Sequence, residues 1–224
     1  ALFTLLVPSR STEDELIQKG IATKKELVPM GVNTQWFKPS EDKKSSKEAI
    51  NITSETTVIG YAGRIAREKD LPTLYRAFKT LQMNKKNLKL LIVGGGLDSE
   101  LIEDDDIILV GSTNNVRKYL HAMDVFVLPS LTETSSLVTK EAMACGIPVC
   151  VTPVGNIPEY IENGVNGILF ARGDDRGLMR ELKRIISDKE LQTTLGKNAR
   201  ETIMREHSFE KTIKAVKKVL RSFD

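Results

Sequence analysis

Short apolar runs alternate along this chain with longer stretches whose apolar residues recur every three or four positions. The runs Val58–Tyr61, Leu88–Val93, Ile107–Val110, Asp124–Leu128, Val149–Thr152 and Gly167–Phe170 have the length and composition of buried strands. Between them the pattern predicts helices over Leu71–Met83, around Leu97–Ile102, over Val116–Ala122, and from the Thr134–Ser136 hydroxyl cluster through Met143. A further short helix is predicted to end near Ile161. Asp70 and Pro72 are start signals for the first of these. The tail reads as three helices, Asp174–Asp188, Glu190–Glu206 and Phe209–Phe223. Upstream, Leu2–Val7 is a strand ending at Pro8. Thr12 and Glu15 form a capping-box pattern for a helix over Glu13–Lys19, stopped by Gly20, and a short extended piece follows at Glu26–Val28. Apolar strands alternating with helices predict an α/β fold, a doubly wound, Rossmann-like parallel sheet with helices on both faces. Ligands of such sheets bind off the carboxyl ends of the strands.

Composition divides the chain. Residues 1–40 precede a polar, linker-like stretch over residues 41–56. The regular α/β pattern occupies residues 57–206, and an amphipathic helix closes the chain over residues 207–224. Opening on an apolar strand suggests a piece of a longer protein. The 28% of charged residues are of both signs and the net charge is +3, which argues against a dedicated nucleic-acid binder. No apolar run approaches the ~20 residues of a membrane span, and the N-terminal ALFTLLVPS does not read as a signal peptide. Cys145 and Cys150 lack metal-ligand spacing and suit a reducing, cytoplasmic setting.

Candidate chemistry concentrates after strands. In PSLTETSSLVTKEAMACGIP, Glu133 and Glu141 stand eight positions apart around Thr134, Ser135 and Ser136, where a helix is predicted to begin. A helix start offers unpaired N–H groups and partial positive charge, which suits a phosphate. Two solvated glutamates beside an ordinary strand–turn–helix are the plainer alternative. Arg64 and Lys69, in the loop after Val58–Tyr61, can clamp a diphosphate, the arginine as a fork and the lysine as a point charge. Taken alone they read as a solvated basic loop paired with Glu68 or Asp70. Gly94–Gly96 lacks the third glycine of a dinucleotide fingerprint, with Ser99 in its place, and reads as a tight turn with close backbone approach. Asp104–Asp106 precedes a strand and reads as an acidic surface turn rather than a metal site. His121 and His207 have no partner at a catalytic spacing. The last helix carries Phe209, Ile213, Val216, Leu220 and Phe223 on one stripe and five basic residues elsewhere. That pattern predicts packing against a domain, with weak adsorption to an anionic membrane as the lesser alternative.

Together, YAGRIAREKDL, VGGG, DVFVLPSLTETSSLVTKEAMACGIPVC and VGNIPEYIENGVNGILF resemble the C-terminal half of a family-4 glycosyltransferase of GT-B architecture. The resemblance extends to VPMGVNTQWFKP, similar to the interdomain segment of that family, and to SRSTEDELIQKG before it. It implies a retaining hexosyltransferase whose C-terminal domain binds a nucleotide-diphosphate sugar, UDP- or GDP-linked, with no cofactor and no metal. By the resemblance, Arg64 and Lys69 bind the donor diphosphate and stabilise the leaving group. Glu133 bonds the transferred sugar and Glu141 the ribose hydroxyls. The backbone of Thr134, Ser135, Ser136 and Leu137 faces phosphate and sugar, and Gly111, Ser112 and Thr113 seat the base. Thr134–Ser136 stand where the family commonly has Gly-Phe-Gly, Asn33 where it has aspartate, and Asn156 where it has glycine. An absent N-terminal domain is expected to supply the acceptor site, so the piece alone should bind donor with little or no transfer. Two other readings fit the same pattern: a nucleotide-sugar epimerase or phosphorylase of this architecture, and a non-catalytic nucleotide-binding or membrane-associated module.

Overall fold

The computed structural model describes residues 3–83, 85–96 and 104–221. The expected helix around Leu97–Ile102, Ser99, and the end of the terminal stripe at Phe223 lie outside them.

Six strands form one parallel sheet: β3 (Thr57–Ala62), β4 (Leu88–Val93), β5 (Ile107–Gly111), β6 (Val125–Leu128), β7 (Val149–Val151) and β8 (Ile168–Leu169). Their spatial order is β5-β4-β3-β6-β7-β8, the doubly wound order with its reversal between β3 and β6. Val125–Leu128 is buried throughout, and Val58–Ala62 almost wholly unexposed, as expected for strands covered on both faces. The covering helices are α3 (Leu71–Gln82), α4 (Val116–Leu120), α5 (Leu137–Ala144), α6 (Asp175–Ser187) and α7 (Lys189–Glu206). In α3 the buried set Leu71, Leu74, Ala77, Phe78 and Leu81 follows the 3.6-residue period that drives its face onto the sheet. The predicted helix ending near Ile161 is a single 3-10 turn, Ile157–Glu159, with Pro158 inside it.

Ahead of this sheet, β1 (Thr4–Val7), α1 (Arg10–Gln18) and β2 (Lys24–Leu27) make a separate two-stranded parallel unit. The helix starts earlier than the capping-box pattern predicts. Ser9, extended after Pro8, is its N-cap and accepts from the Thr12 backbone N–H at 3.2 Å. Within the linker-like stretch 41–56 the structure forms α2 (Lys43–Glu48), capped by Asp42. Lys47 of α2 reaches Asp124 at 2.8 Å and the Thr56 carbonyl at 2.6 Å, so this stretch is fastened to the sheet rather than free of it.

The chain end, α8 (Phe209–Leu220), crosses back over the segment that enters the sheet domain. Val32 donates to the His207 carbonyl at 2.9 Å, and Phe209 donates to the Val32 carbonyl at 2.9 Å. The face that α8 turns inward differs from the expected stripe. Val219 is its one buried residue, while Phe209, Ile213 and Leu220 are exposed.

Candidate active site at the strand ends

Where β3 and β6 part company, their carboxyl-end loops meet. After β3 the chain runs through Gly63 and Arg64 into a 3-10 turn, Arg67–Lys69, closed by Asp70 at a φ of 47°. The buried Tyr61 hydroxyl donates to the Arg64 carbonyl at 2.6 Å and fixes this loop. Burial also raises the Tyr61 pKa well above the usual phenol value, so the hydroxyl keeps its proton for that bond. The loop after β6 is tied to it by the Leu131 N–H, which donates to the Glu68 carbonyl at 2.8 Å. Two close approaches shape the floor. A Cβ on Gly94 would lie 1.8 Å from the Gly63 carbonyl oxygen, and one on Gly155 would lie 2.1 Å from that of Glu133. The Gly94–Gly96 run is therefore the tight strand-end turn that its sequence suggests.

Lys69 and Glu133 join across these loops at 2.5 Å, with side chains 17% and 9% exposed. Ser130 donates to the same Glu133 oxygen at 2.8 Å, and Thr152 holds Ser130 in turn by donating to its carbonyl at 2.5 Å. The pair opens onto a cavity of about 900 Å³ whose walls also include Arg64, Glu68, Thr134, Gly155 and Arg172. Arg64 pairs with Glu68, the local partner expected for a plain basic loop, yet it also lines a second cavity of about 460 Å³. That second cavity holds Ser112, Thr113, Val138 and Glu141. Burial raises the Glu141 pKa, and among the described residues its carboxylate has no hydrogen-bond or ionic partner. Arg64 is thus the residue shared by a chamber with the Lys69–Glu133 pair and a chamber with an unsatisfied acid.

The structure brings Arg64, Lys69, Glu133 and Thr134 to one cavity and Arg64, Ser112, Thr113 and Glu141 to the other. Gly111 lines neither cavity; its carbonyl accepts from the Gly94 N–H at 2.9 Å. The side chains of Ser135, Ser136 and Leu137 serve other ends. Ser135 accepts from Asn156 at 3.2 Å, Ser136 caps α5 by accepting from the Thr139 N–H, and Leu137 packs on the core. The backbone N–H groups of Thr134 to Leu137 have no acceptor among the described residues, which leaves the start of α5 bare.

Several other candidates resolve into structural roles. Asp104 pairs with Lys79 at 2.8 Å and Asp106 with Lys89 at 2.7 Å, a surface cluster away from the strand tips. His121 contacts the Lys38 carbonyl at 2.9 Å. Cys145 and Cys150 are free and buried, and burial pushes the Cys145 thiol up to about 12, which suppresses thiolate chemistry. Sequence reasoning passed over Lys140, which is wholly buried in α5, donates to the Met30 carbonyl at 3.0 Å and lies 5.0 Å from the Tyr160 ring centroid. Burial, and after it the Lys140 charge, lower the His207 pKa, and among the described residues neither of its ring nitrogens has a hydrogen-bond partner. Arg172 was passed over as well, because nothing near it in the sequence marks it.

Comparison with known proteins bears on the family and the fold. The family model described as "Glycosyl transferases group 1" matches residues 42–202. The chain is 30% identical over 175 residues to the N-acetyl-alpha-D-glucosaminyl L-malate synthase of Bacillus anthracis, covering 75% of this chain and 46% of that protein. Sucrose-phosphate synthase from Thermosynechococcus elongatus superposes with a TM-score of 0.85 at 27% identity, over 98% of this chain and 58% of that one. Anabaena Alr3699/HepE, solved in complex with UDP-glucose, shares the fold with a TM-score of 0.86 at 21% identity, over 97% and 63%. The chain spans about half the length of the curated relatives it matches. With a sheet in doubly wound order, chemistry gathered at its switch point and a family match over most of its length, this chain belongs to the glycosyl transferases of group 1.

Proposed function

We propose that this chain is the donor-binding part of a retaining, metal-independent glycosyltransferase, and that it holds a nucleoside-diphosphate sugar across its two joined cavities. The observation that carries this is the position of Arg64, common to the chamber of Lys69 and Glu133 and to the chamber of Glu141. A diphosphate lying at Arg64 puts a nucleoside on one side and a sugar on the other. Ser112 and Thr113 then border the base, and Glu141 accepts from the ribose hydroxyls. Lys69 exchanges Glu133 for the diphosphate, which frees the Glu133 carboxylate to accept from hydroxyls of the sugar. The bare N–H groups at the start of α5 add donors for the phosphate or sugar oxygens.

In transfer the bond between the anomeric carbon and the diphosphate oxygen breaks with its electron pair staying on the diphosphate, while an acceptor hydroxyl oxygen bonds that carbon and its proton passes to the departing diphosphate. Arg64 and Lys69 stabilise that developing charge, an effect largest in a closed, water-poor cleft. Phe3, Leu6, Leu27 and Phe209 are exposed apolar residues that an N-terminal acceptor domain could cover. Without that domain the chain binds donor and transfers little. UDP-glucose in the HepE complex fits this reading, as does the malate synthase's name, which pairs a sugar with an acceptor.

The test is calorimetry with UDP, GDP and ADP and their hexose conjugates. One base should bind, and Lys69→Ala and Glu141→Ala should each weaken binding by about tenfold or more, the range of one charge-assisted hydrogen bond. Unchanged affinity in both variants contradicts the assignment.

A further inference from the structure

Three cations and three acids line the larger cavity among the described residues: Arg64, Lys69 and Arg172 against Glu15, Glu68 and Glu133. Each acid already has a cation. Glu133 pairs with Lys69, Glu68 with Arg64, and Glu15 with Lys19 of its own helix. Among the described residues Arg172 is the lining cation left without a carboxylate, and its guanidinium donates only to the Leu131 carbonyl, at 3.3 Å. Its placement is fixed by the backbone. Arg172 and Gly173 are the central residues of a tight turn after β8, closed by the Asp174 N–H donating to the Ala171 carbonyl at 3.1 Å, with Gly173 at a φ of 70°. The bond to Leu131 draws the guanidinium toward the loop that carries Glu133.

Distance separates Arg172 from the diphosphate clamp. Arg64 and Lys69 follow β3, and β8 lies three strands away in the order β3-β6-β7-β8. At a spacing of about 4.8 Å per strand, the two strand ends are about 14 Å apart. Arg172 therefore enters the cavity from the β8 side, whereas Arg64 and Lys69 enter it from the β3 side. An unpaired guanidinium on the wall of a cavity matches a planar anion, because its fork can meet two oxygens of a carboxylate or phosphate.

We infer that Arg172 recognises an anionic group, carboxylate or phosphate, carried either by the transferred sugar or by the acceptor. This inference rests on the donor-binding reading above. Arg172 is a specificity-determining residue of the same cavity and has no part in bond cleavage.

Calorimetry on the wild type, Arg172→Ala and Arg172→Lys at physiological salt tests it in two arms. The first compares the hexose and hexuronate conjugates of the nucleoside diphosphate that binds. The second saturates the full-length protein, which carries the acceptor domain, with that nucleoside diphosphate and compares glucose with glucose 6-phosphate. The expected result is a preference of about tenfold or more for the charged probe in one arm, from one charge-assisted pair. A preference in the first arm places the anion on the transferred sugar, and one in the second places it on the acceptor. Arg172→Ala should abolish the preference and Arg172→Lys should keep part of it, while affinity for the nucleoside diphosphate stays within about twofold. Normal nucleotide affinity with no charge preference in either arm overturns this inference alone, as does a preference that survives Arg172→Ala. Failure of every nucleoside diphosphate to bind overturns the donor reading and this inference with it.

Discussion

A lysine–carboxylate pair stands at each end of β6, and the two pairs do different work. At the amino end, Lys47 and Asp124 are 7% and 8% exposed, 2.8 Å apart, and closed by further bonds to the Thr56 carbonyl and from the Val58 N–H. At the carboxyl end, Lys69 and Glu133 are 2.5 Å apart and face a cavity of about 900 Å³. The chemistry is the same and the surroundings are not. Asp124 also borders a cavity of about 590 Å³, with Lys43 at 3.8 Å, but both members of the Lys47 pair have further bonds, so the pair holds α2 to the sheet. The Lys69 pair has room and solvent on one side, so an incoming diphosphate can replace the carboxylate. Spare bonding capacity, rather than the pair itself, distinguishes a fastener from a site: the Lys47 side chain donates to both Asp124 and the Thr56 carbonyl, that of Lys69 among the described residues to Glu133 alone.

The sharpest way to break that comparison is to delete one lysine from each pair. Lys47→Ala removes the near partner of Asp124, which keeps only Lys43 at 3.8 Å and the Val58 N–H, and should cost about 2–3 kcal/mol of stability in urea unfolding. Lys69→Ala should cost less, about 1 kcal/mol, because Glu133 borders the cavity and keeps the Ser130 hydroxyl, while it weakens nucleotide binding. Equal losses of stability would erase the distinction. Next in size is acid sensitivity at His207, whose pKa is lowered to about 4 by burial and by the Lys140 charge. The ring is neutral in the folded state, whereas the unfolded chain takes up a proton below about pH 6.5. Stability should therefore fall as pH drops from about 6.5 to 4 and then level off, by at most about 2 kcal/mol since the ring is partly solvated. His207→Phe should remove that slope in thermal melts recorded across the range.

Glu141→Gln should weaken nucleotide binding by about tenfold in calorimetry without lowering the melting temperature, since the acid has no partner to lose. The smallest effect belongs to Lys140, whose pKa burial lowers to about 8. Its charge is a cost below that pH, relieved as pH rises toward the unfolded value near 10.4. Lys140→Met should be the more stable form at pH 7, by about 1 kcal/mol, with the gap narrowing by pH 10.

The sheet was legible because a strand buried on both faces must be written as an unbroken apolar run, and Val125–Leu128 and Leu88–Val93 are such runs. The clustering of motifs after strands followed from the same periodicity. Local signals failed where two choices were close in energy or where a distant partner decided. Ser9 and Thr12 are both good caps, and the extended backbone after Pro8 favoured Ser9. The polar composition of α2 hid Lys47, whose partner lies 77 positions away. The inward face of α8 is set by contacts with Pro29 and Gly31 through Thr212, which its own apolar stripe does not encode. Arg172 became visible only when charges were paired around a cavity built from four loops.

A crystal of this protein soaked with its nucleoside-diphosphate sugar tests the central claim most directly. The diphosphate should lie beside Arg64 and the bare start of α5, with the Lys69–Glu133 contact opened, Lys69 on a phosphate oxygen and Glu141 on the ribose. A nucleotide bound elsewhere, or one bound while Lys69 and Glu133 remain joined, would contradict the account.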